Sequence, residues 1–403
     1  MVSPIQLARM VFCLALGCLA APGMTAAQDA QKIGLGYLKA AIDEIIPLSR
    51  IDVPPTDDGE AGAQLGTRDN QTTGRFTKQD FTLQVEKAAS EEEALAALDK
   101  LLAADIRMIA VDAPASLLPK LADRANEKGA LLLNVGAADD GLRAENCRAN
   151  LFHTAPSRAM LADALAQYLA WKKWRRWFLV SGSHPADKAF ADALKRAGKR
   201  FGAQIVEERE YKDAGGSRRT DTGHEQVQQQ MPVFTQRAAE HDVLVVADES
   251  EVFGAYLPYR TWDARPVVGT SGLVPASWHP AHEGWGGTQL HSRFERAFKR
   301  RMTSLDYQAW QAVRSIGEAA IRTKSGDVKT IRQFLLGPDF GLGAFKGQAV
   351  TFRNWDRQLR QPILLATLQM VVTVSPQQGF LHQKFETDTL GVDEPETKCA
   401  ARG

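Results

Sequence analysis

From residue 33 onward, short apolar runs alternate with longer stretches whose apolar positions recur at helical spacing. IGLGYL (33–38), FTLQV (81–85), IRMIAV (106–111) and ALLLNV (130–135) read as strands. Between them, 59–70, a stretch carrying Leu95, Leu98, Leu101 and Leu102 on one face, and 116–128 read as helices. Ser90 and Glu93 form an S-x-x-E capping pair before the second helix, and Gly129 stops the third. Repeated βα alternation predicts a parallel sheet covered by helices.

A second block of the same kind starts near Pro156. It has a helix with Leu161, Leu165, Tyr168 and Leu169, the strand WFLVSG (177–182), a helix ending at Gly202 and the strand 204–211. Residues 212–226, polar and glycine-rich, read as a surface loop, and 227–240 as a helix containing Pro232. Strands at 243–247 and 265–270 close the block. The last third predicts helices at 292–303, 306–323 and 328–336 and strand-like pieces at 349–352 and 362–374. These are too few for a third core, so they complete the first two and the chain crosses between them three times. The expected fold class is therefore α/β with two Rossmann-like lobes. Lobe 1 is 31–150 plus about 270–340, lobe 2 is 151–269 plus about 341–385, and 386–403 is a C-terminal tail.

The N-terminus changes the compartment. Arg9, the apolar stretch VFCLALGCLAA and the small residues that follow have the layout of a secretory signal peptide, with cleavage expected after Ala27 and lipidation at Cys18 as the alternative. The apolar run is shorter than the roughly 20 residues a membrane-spanning helix needs. Export to an oxidising compartment leaves Cys147 and Cys399 as the cysteines of the mature chain, and the two are expected to pair. With 49 basic and 48 acidic residues, the chain has no net field to attract nucleic acid or anionic lipid.

Motifs of catalysis are missing. GLGYLK (34–39) has lysine where a dinucleotide fingerprint needs its third glycine, GTSGL (269–273) has the wrong spacing for a nucleophile elbow, and GxxxxGK[ST], HExxH and CxxC are absent. His279 and His282, near His291, read as surface histidines rather than metal ligands. The run WKKWRRW (171–177) reads as a helix end and strand start, with tryptophans covering the core. No enzyme activity, cofactor or metal is expected.

In open α/β sheets, ligands bind beyond the carboxyl ends of the strands, beside helix N-termini. That rule selects Tyr37, Asp112, Ala115, Ser116, Gly136, Ala137, Ala138 and Asp139 in the first block, and Ser183, His184, Asp187, Asp248 and Glu249 in the second.

The segments GAQLGTRDNQTTGRF (62–76), FHTAPS with the helix after it (152–170), SLDYQAWQAVRSIGEAA (304–320) and GLGAFKGQAVTFRNWDRQLRQPI (341–363) resemble the type I periplasmic binding proteins of the branched-chain amino acid transporter class. Within that class, 47–70 most resembles the branch associated with pyrroloquinoline-quinone (PQQ)-dependent alcohol dehydrogenase systems. The resemblance implies three hinge strands, closure on a small ligand, a monomer, and delivery to an ABC permease. It also implies that hydroxyls that hold an amino acid are replaced by Ala115, Ala137 and Ala138, with Ser116 beside them, and a stacking tyrosine by Ala186. An ordinary amino acid is therefore not the expected ligand. An alcohol-derived or aromatic metabolite suits alanine-rich loops. A hard cation such as a lanthanide would use Asp112, Asp139, Asp140, Asp187, Asp248 and Glu249. The other alternative is an accessory or sensor protein of the dehydrogenase without a transport role.

Overall fold

The computed structural model describes residues 30–42, 53–212 and 221–400. The leader segment with Cys18, and residues 213–220 of the expected loop, lie outside the described residues.

The first block forms β1 (Gln31–Ala40), α1 (Glu60–Thr77), β2 (Gln79–Ala88), α2 (Glu91–Ala103), β3 (Met108–Asp112), α3 (Leu118–Asn126), β4 (Leu131–Asn134) and β5 (Leu151–His153). The strands pair in parallel in the order β2-β1-β3-β4-β5. The expected cap is present: Ser90 accepts a hydrogen bond from the Glu93 N–H at 3.2 Å. Gly129 takes φ 66°, which a side chain would resist.

The second block gives α4 (Arg158–Trp171), β6 (Arg176–Gly182), α5 (Pro185–Arg200), β7 (Gln204–Tyr211), α6 (Asp221–Thr235), β8 (Val243–Ala247), α7 (Leu257–Arg260) and β9 (Val267–Gly269). Its parallel order is β7-β6-β8-β9. The helix containing Pro232 runs over 221–235 instead of 227–240, so 221–226 is helix where the polar composition suggested loop. WKKWRRW does straddle a helix end and a strand start, with Arg176 paired to Asp242 at 2.8 Å, but of its tryptophans only Trp177 is buried, while Trp174 is half-buried and Trp171 exposed at the end of α4.

The remaining elements are β10 (Val274–Ala276), α8 (Gly287–Phe298), α9 (Ser304–Thr323), α10 (Val328–Leu336), β11 (Leu342–Gly343), β12 (Ala349–Phe352), β13 (Leu359–Arg360), β14 (Ile363–Ala366) and β15 (Val371–Ser375). Two antiparallel sheets, β10-β14-β15 and β11-β12-β13, join the parallel ones. The apolar run 362–374 is thus a hairpin rather than one strand, turning at 367–370.

One core gathers apolar side chains from 33–152 and again from 278–359, and a second from 160–273 and 363–390. The chain passes between these two cores three times. Leu342, Val350, Phe352 and Leu359 pack with the first core, although the sequence reading groups 341–385 with the second lobe. The apolar pattern registers that these positions are buried, and only contact with α9 and α10 decides in which core. Helices α1 and α9 approach closely because Gly62 has no side chain: a Cβ there would lie 1.8 Å from the Asp306 carbonyl oxygen.

Cys147 and Cys399 are joined by a disulfide across 252 positions, as the cysteine count predicts. The C-terminal segment it anchors is also held by Asp388, whose buried carboxylate receives Arg353 Nε at 2.9 Å and Arg360 Nε at 2.8 Å. Among the described residues no helix is long and apolar enough to cross a membrane.

Candidate functional site

The carboxyl ends of both parallel sheets carry the residues singled out from the sequence, and the structure sorts them into three groups. The first is structural. Tyr37 is fully buried in the first core, and its hydroxyl lies 3.4 Å from the Asp58 carbonyl oxygen beneath the start of α1. Burial, reinforced by Asp112, Asp58 and Asp306, raises its pKa well above that of a free phenol. Asp187, also fully buried, receives the His184 N–H at 3.1 Å and the Ser250 N–H at 2.8 Å, which ties α5 to the loop after β8. Asp248 accepts from the N–H groups of Val252 (3.0 Å), Phe253 (2.8 Å) and Gly254 (2.6 Å). Burial raises its pKa, against the three N–H bonds, and its carboxylate shapes its own loop instead of facing outward.

A second group frames the loops of the first sheet. Gly136 lets Asp112 sit against the backbone, for a Cβ there would lie 2.3 Å from Asp112 Oδ1. Asn134 Oδ1 accepts from the N–H groups of Gly136 and Ala137 at 3.2 and 2.9 Å, and the Ala138 carbonyl accepts from the Arg158 N–H at 2.8 Å. Arg143, which sequence reasoning missed, underpins this turn. It donates to the carbonyls of Ala137, Asp139 and Ala155 and to Gln358, and burial pushes its pKa down to about 10.

The third group lines the space between the sheets. Ala115, Ser116 and Asp139 surround a cavity of about 330 Å³ together with Arg158 and with Ala189 of α5. Ser116 is exposed and Ala115 half-buried. Ser183 and His184 stand half-buried at the start of α5, and the structure does not place them, Asp187 or Asp248 among the residues lining this cavity.

Arg158 is the centre of the arrangement. Its guanidinium makes a two-pronged contact with Glu249 at 2.7 and 2.9 Å and a third with Asp139 at 2.9 Å, joining the loop after β4 to the loop after β8. Burial works to lower its pKa, but Glu249 and Asp139 outweigh it and the net shift is upward, so the group stays charged. At Glu249 burial wins over Arg158 and the pKa rises. A signal for Arg158 does exist in the sequence: a cation at the first position of a helix opposes the helix dipole and needs a local anion to hold it there.

The histidine reading needs correction. His282 is 3% exposed, its Nε2 is 2.8 Å from the Phe345 carbonyl oxygen, and His279 and His291 are half-buried. His282 is a packing residue under the tryptophan-rich loop, enclosed by aromatic neighbours such as Trp278. Among the described residues no group of three or more His, Cys, Asp or Glu side chains is placed to hold a metal ion.

Comparison with known proteins gives this arrangement its class. Residues 56–223 match the model of a family described as periplasmic binding protein. The chain superimposes with a TM-score of 0.71 on a branched-chain amino acid ABC transporter periplasmic ligand-binding protein from Burkholderia xenovorans, at 14% identity, covering 92% of this chain and 100% of that one. A periplasmic binding protein from Burkholderia mallei gives 0.67 at 13% identity, covering 93% and 100%. A solute-binding protein from R. palustris in complex with benzoate gives 0.62 at 11% identity, covering 92% and 99%. No curated protein matches the chain in sequence. The chain therefore has the type I periplasmic binding protein fold, a mixed α/β architecture built on parallel sheets.

Proposed function

We propose that this chain is the periplasmic substrate-binding component of an ABC transporter, taking a small ligand between two lobes that close about three hinge crossings and presenting it to an inner-membrane permease. In this reading the lobes follow the two cores, and the leader directs export. The observation that supports it most directly is that Arg158, held by Glu249 within the second block, reaches Asp139 of the first at 2.9 Å, so that one ion pair spans the strand ends of the two cores. A hinge motion that separates the two cores breaks such a contact and closure forms it again. The reading assigns no catalytic role to the cleft.

The geometry also bears on the ligand. The alanines at 115, 137 and 138 offer no hydroxyl to a carboxylate or ammonium, and each buried polar group left unpaired costs about 1–3 kcal/mol. Leucine is expected to give no heat in calorimetry. The lanthanide alternative loses ground because Asp187 and Asp248 are spent on backbone N–H groups, while Asp139 and Glu249 both face the single positive charge of Arg158, which repels a cation. A link to PQQ-dependent alcohol oxidation rests on the resemblance of 47–70 alone.

Arg158→Ala tests the latch. It leaves Glu249 half-buried without its cation, so the variant is expected to lose about 1–3 kcal/mol in urea unfolding. Its radius of gyration by small-angle scattering is expected to rise relative to the parent. If the radius is unchanged, the contact is not a latch. If, in addition, no compound from a panel of alcohols, aromatic acids and amino acids compacts the parent chain, the receptor reading fails. A second reading, an accessory protein whose cleft is filled by its own arginine, would then stand.

A further inference from the structure

A second cavity, more roomy than the one between the strand ends, lies elsewhere among the described residues. A half-open groove of about 760 Å³ runs along β9, β10 and the β14–β15 hairpin, from Trp174 at one end to Trp278 and Ser304 at the other. It is walled from both cores, since Trp278 belongs to the first and Leu273 to the second. Its volume falls within the roughly 300–1,000 Å³ typical of small-molecule sites.

Two observations specify an occupant. In a chain with 24% charged residues, none of the described side chains lining the groove is an Asp, Glu, Lys or Arg, and aromatic rings (Tyr168, Trp174, Tyr259, Trp278) supply much of the wall. An ion would be desolvated there with no Asp, Glu, Lys or Arg to balance it, whereas a flat apolar molecule gains both burial and ring contacts. The second is a donor without an acceptor. Trp278 is 2% exposed, stacked on Tyr307 at 4.6 Å between centroids, and its indole N–H meets no hydrogen-bond partner among the described residues. A buried N–H left unmet is costly, and because Trp278 lines the groove, a ligand carbonyl would satisfy it once the ring shifts enough to open the N–H, which is closed off in this structure.

We infer that this groove is a second binding site, separate from the cleft, for a neutral aromatic molecule bearing a carbonyl acceptor. The inference does not depend on the cleft's function. Two rim residues allow a test that spares the core, because Tyr259 is 77% exposed and Leu368 78% exposed.

The probe is prodan, a neutral naphthyl ketone whose emission reports polarity, titrated into the full mature chain. Saturable one-to-one binding with blue-shifted emission is expected, weakened at least tenfold in the double variant Tyr259→Asp/Leu368→Asp and several-fold in Trp278→Phe, which keeps the ring and removes the N–H. Benzophenone is expected to displace prodan at least tenfold better than benzophenone-4-carboxylate, and Ser116→Trp, which fills part of the cavity between the strand ends and leaves the Arg158 contacts in place, to leave prodan affinity within twofold. Absence of saturable binding, indifference to the rim double variant, or equal displacement by the anion overturns the inference. Loss of binding in Ser116→Trp with none in the rim variant assigns the probe to the cleft and overturns it equally.

Discussion

A chain with Cys147→Ala and Cys399→Ala is expected to lose about 3–5 kcal/mol of unfolding free energy, read from urea denaturation of the variant beside the oxidised parent. The disulfide closes a loop of 252 positions, which takes in the whole second block and all three crossings between the cores. Loop-closure entropy grows with the logarithm of loop length, so a link this long lies near the upper end of what one disulfide contributes. Both sulfurs sit in buried residues, Cys147 at 7% and Cys399 at 2% exposure, so reduction of the native protein is expected to be slow and reduction after unfolding fast. A midpoint unchanged within error between oxidised parent and double variant would mean that packing alone holds the tail.

Asp388→Ala is expected to cost a similar amount, about 3–5 kcal/mol, by the same measurement. Asp388 is 2% exposed and Arg353 1%, and the carboxylate serves Arg353 and Arg360 together. Its removal leaves two guanidiniums buried beside each other. Arg353 keeps carbonyl contacts to Leu390 at 2.7 Å and Thr387 at 3.3 Å and a looser ion pair with Asp356 at 3.8 Å, and Arg360 keeps a carbonyl contact to Phe352 at 2.7 Å, so one carboxylate is left for two buried guanidiniums. The penalty is that of uncompensated charge rather than of lost attraction. Because Asp388 and Cys399 fasten the same C-terminal segment, the triple variant is expected to lose less than the sum of the two effects. Full additivity would show that the two fastenings act on independent parts of the fold.

Much of the architecture is legible in the chain. The βα alternation of both blocks survives into the structure because each run carries its own evidence of burial. VLVVA, for example, is apolar throughout and becomes β8, buried at all five positions. Boundaries drift where composition and packing disagree. Polar residues 221–226 belong to a helix because α6 extends N-terminally from a face that packs Met231. The expected helix at 292–303 instead runs over 287–298 and ends where Lys299 turns left-handed at φ 60°. The site was legible as a set of loops and not as a set of roles. Asp248 and Asp139 are both carboxylates at strand ends, yet one is consumed by three backbone N–H groups and the other reaches an arginine.

The sequence by itself determined the fold class, the doubled βα organisation, the lack of familiar catalytic motifs and the expected pairing of Cys147 with Cys399. Periodicity, capping residues and cysteine count are local or additive properties of a chain, and they need no knowledge of distant neighbours. Tertiary structure alone decided that 341–360 packs with the first core, that Tyr37 lies inside it, that Arg158 reaches Glu249 across 91 positions, and that an uncharged groove runs along β9 and β10. Each of these depends on which side chains meet after the crossings are made. Such meetings are fixed by the packing of whole elements, which no window along the chain records.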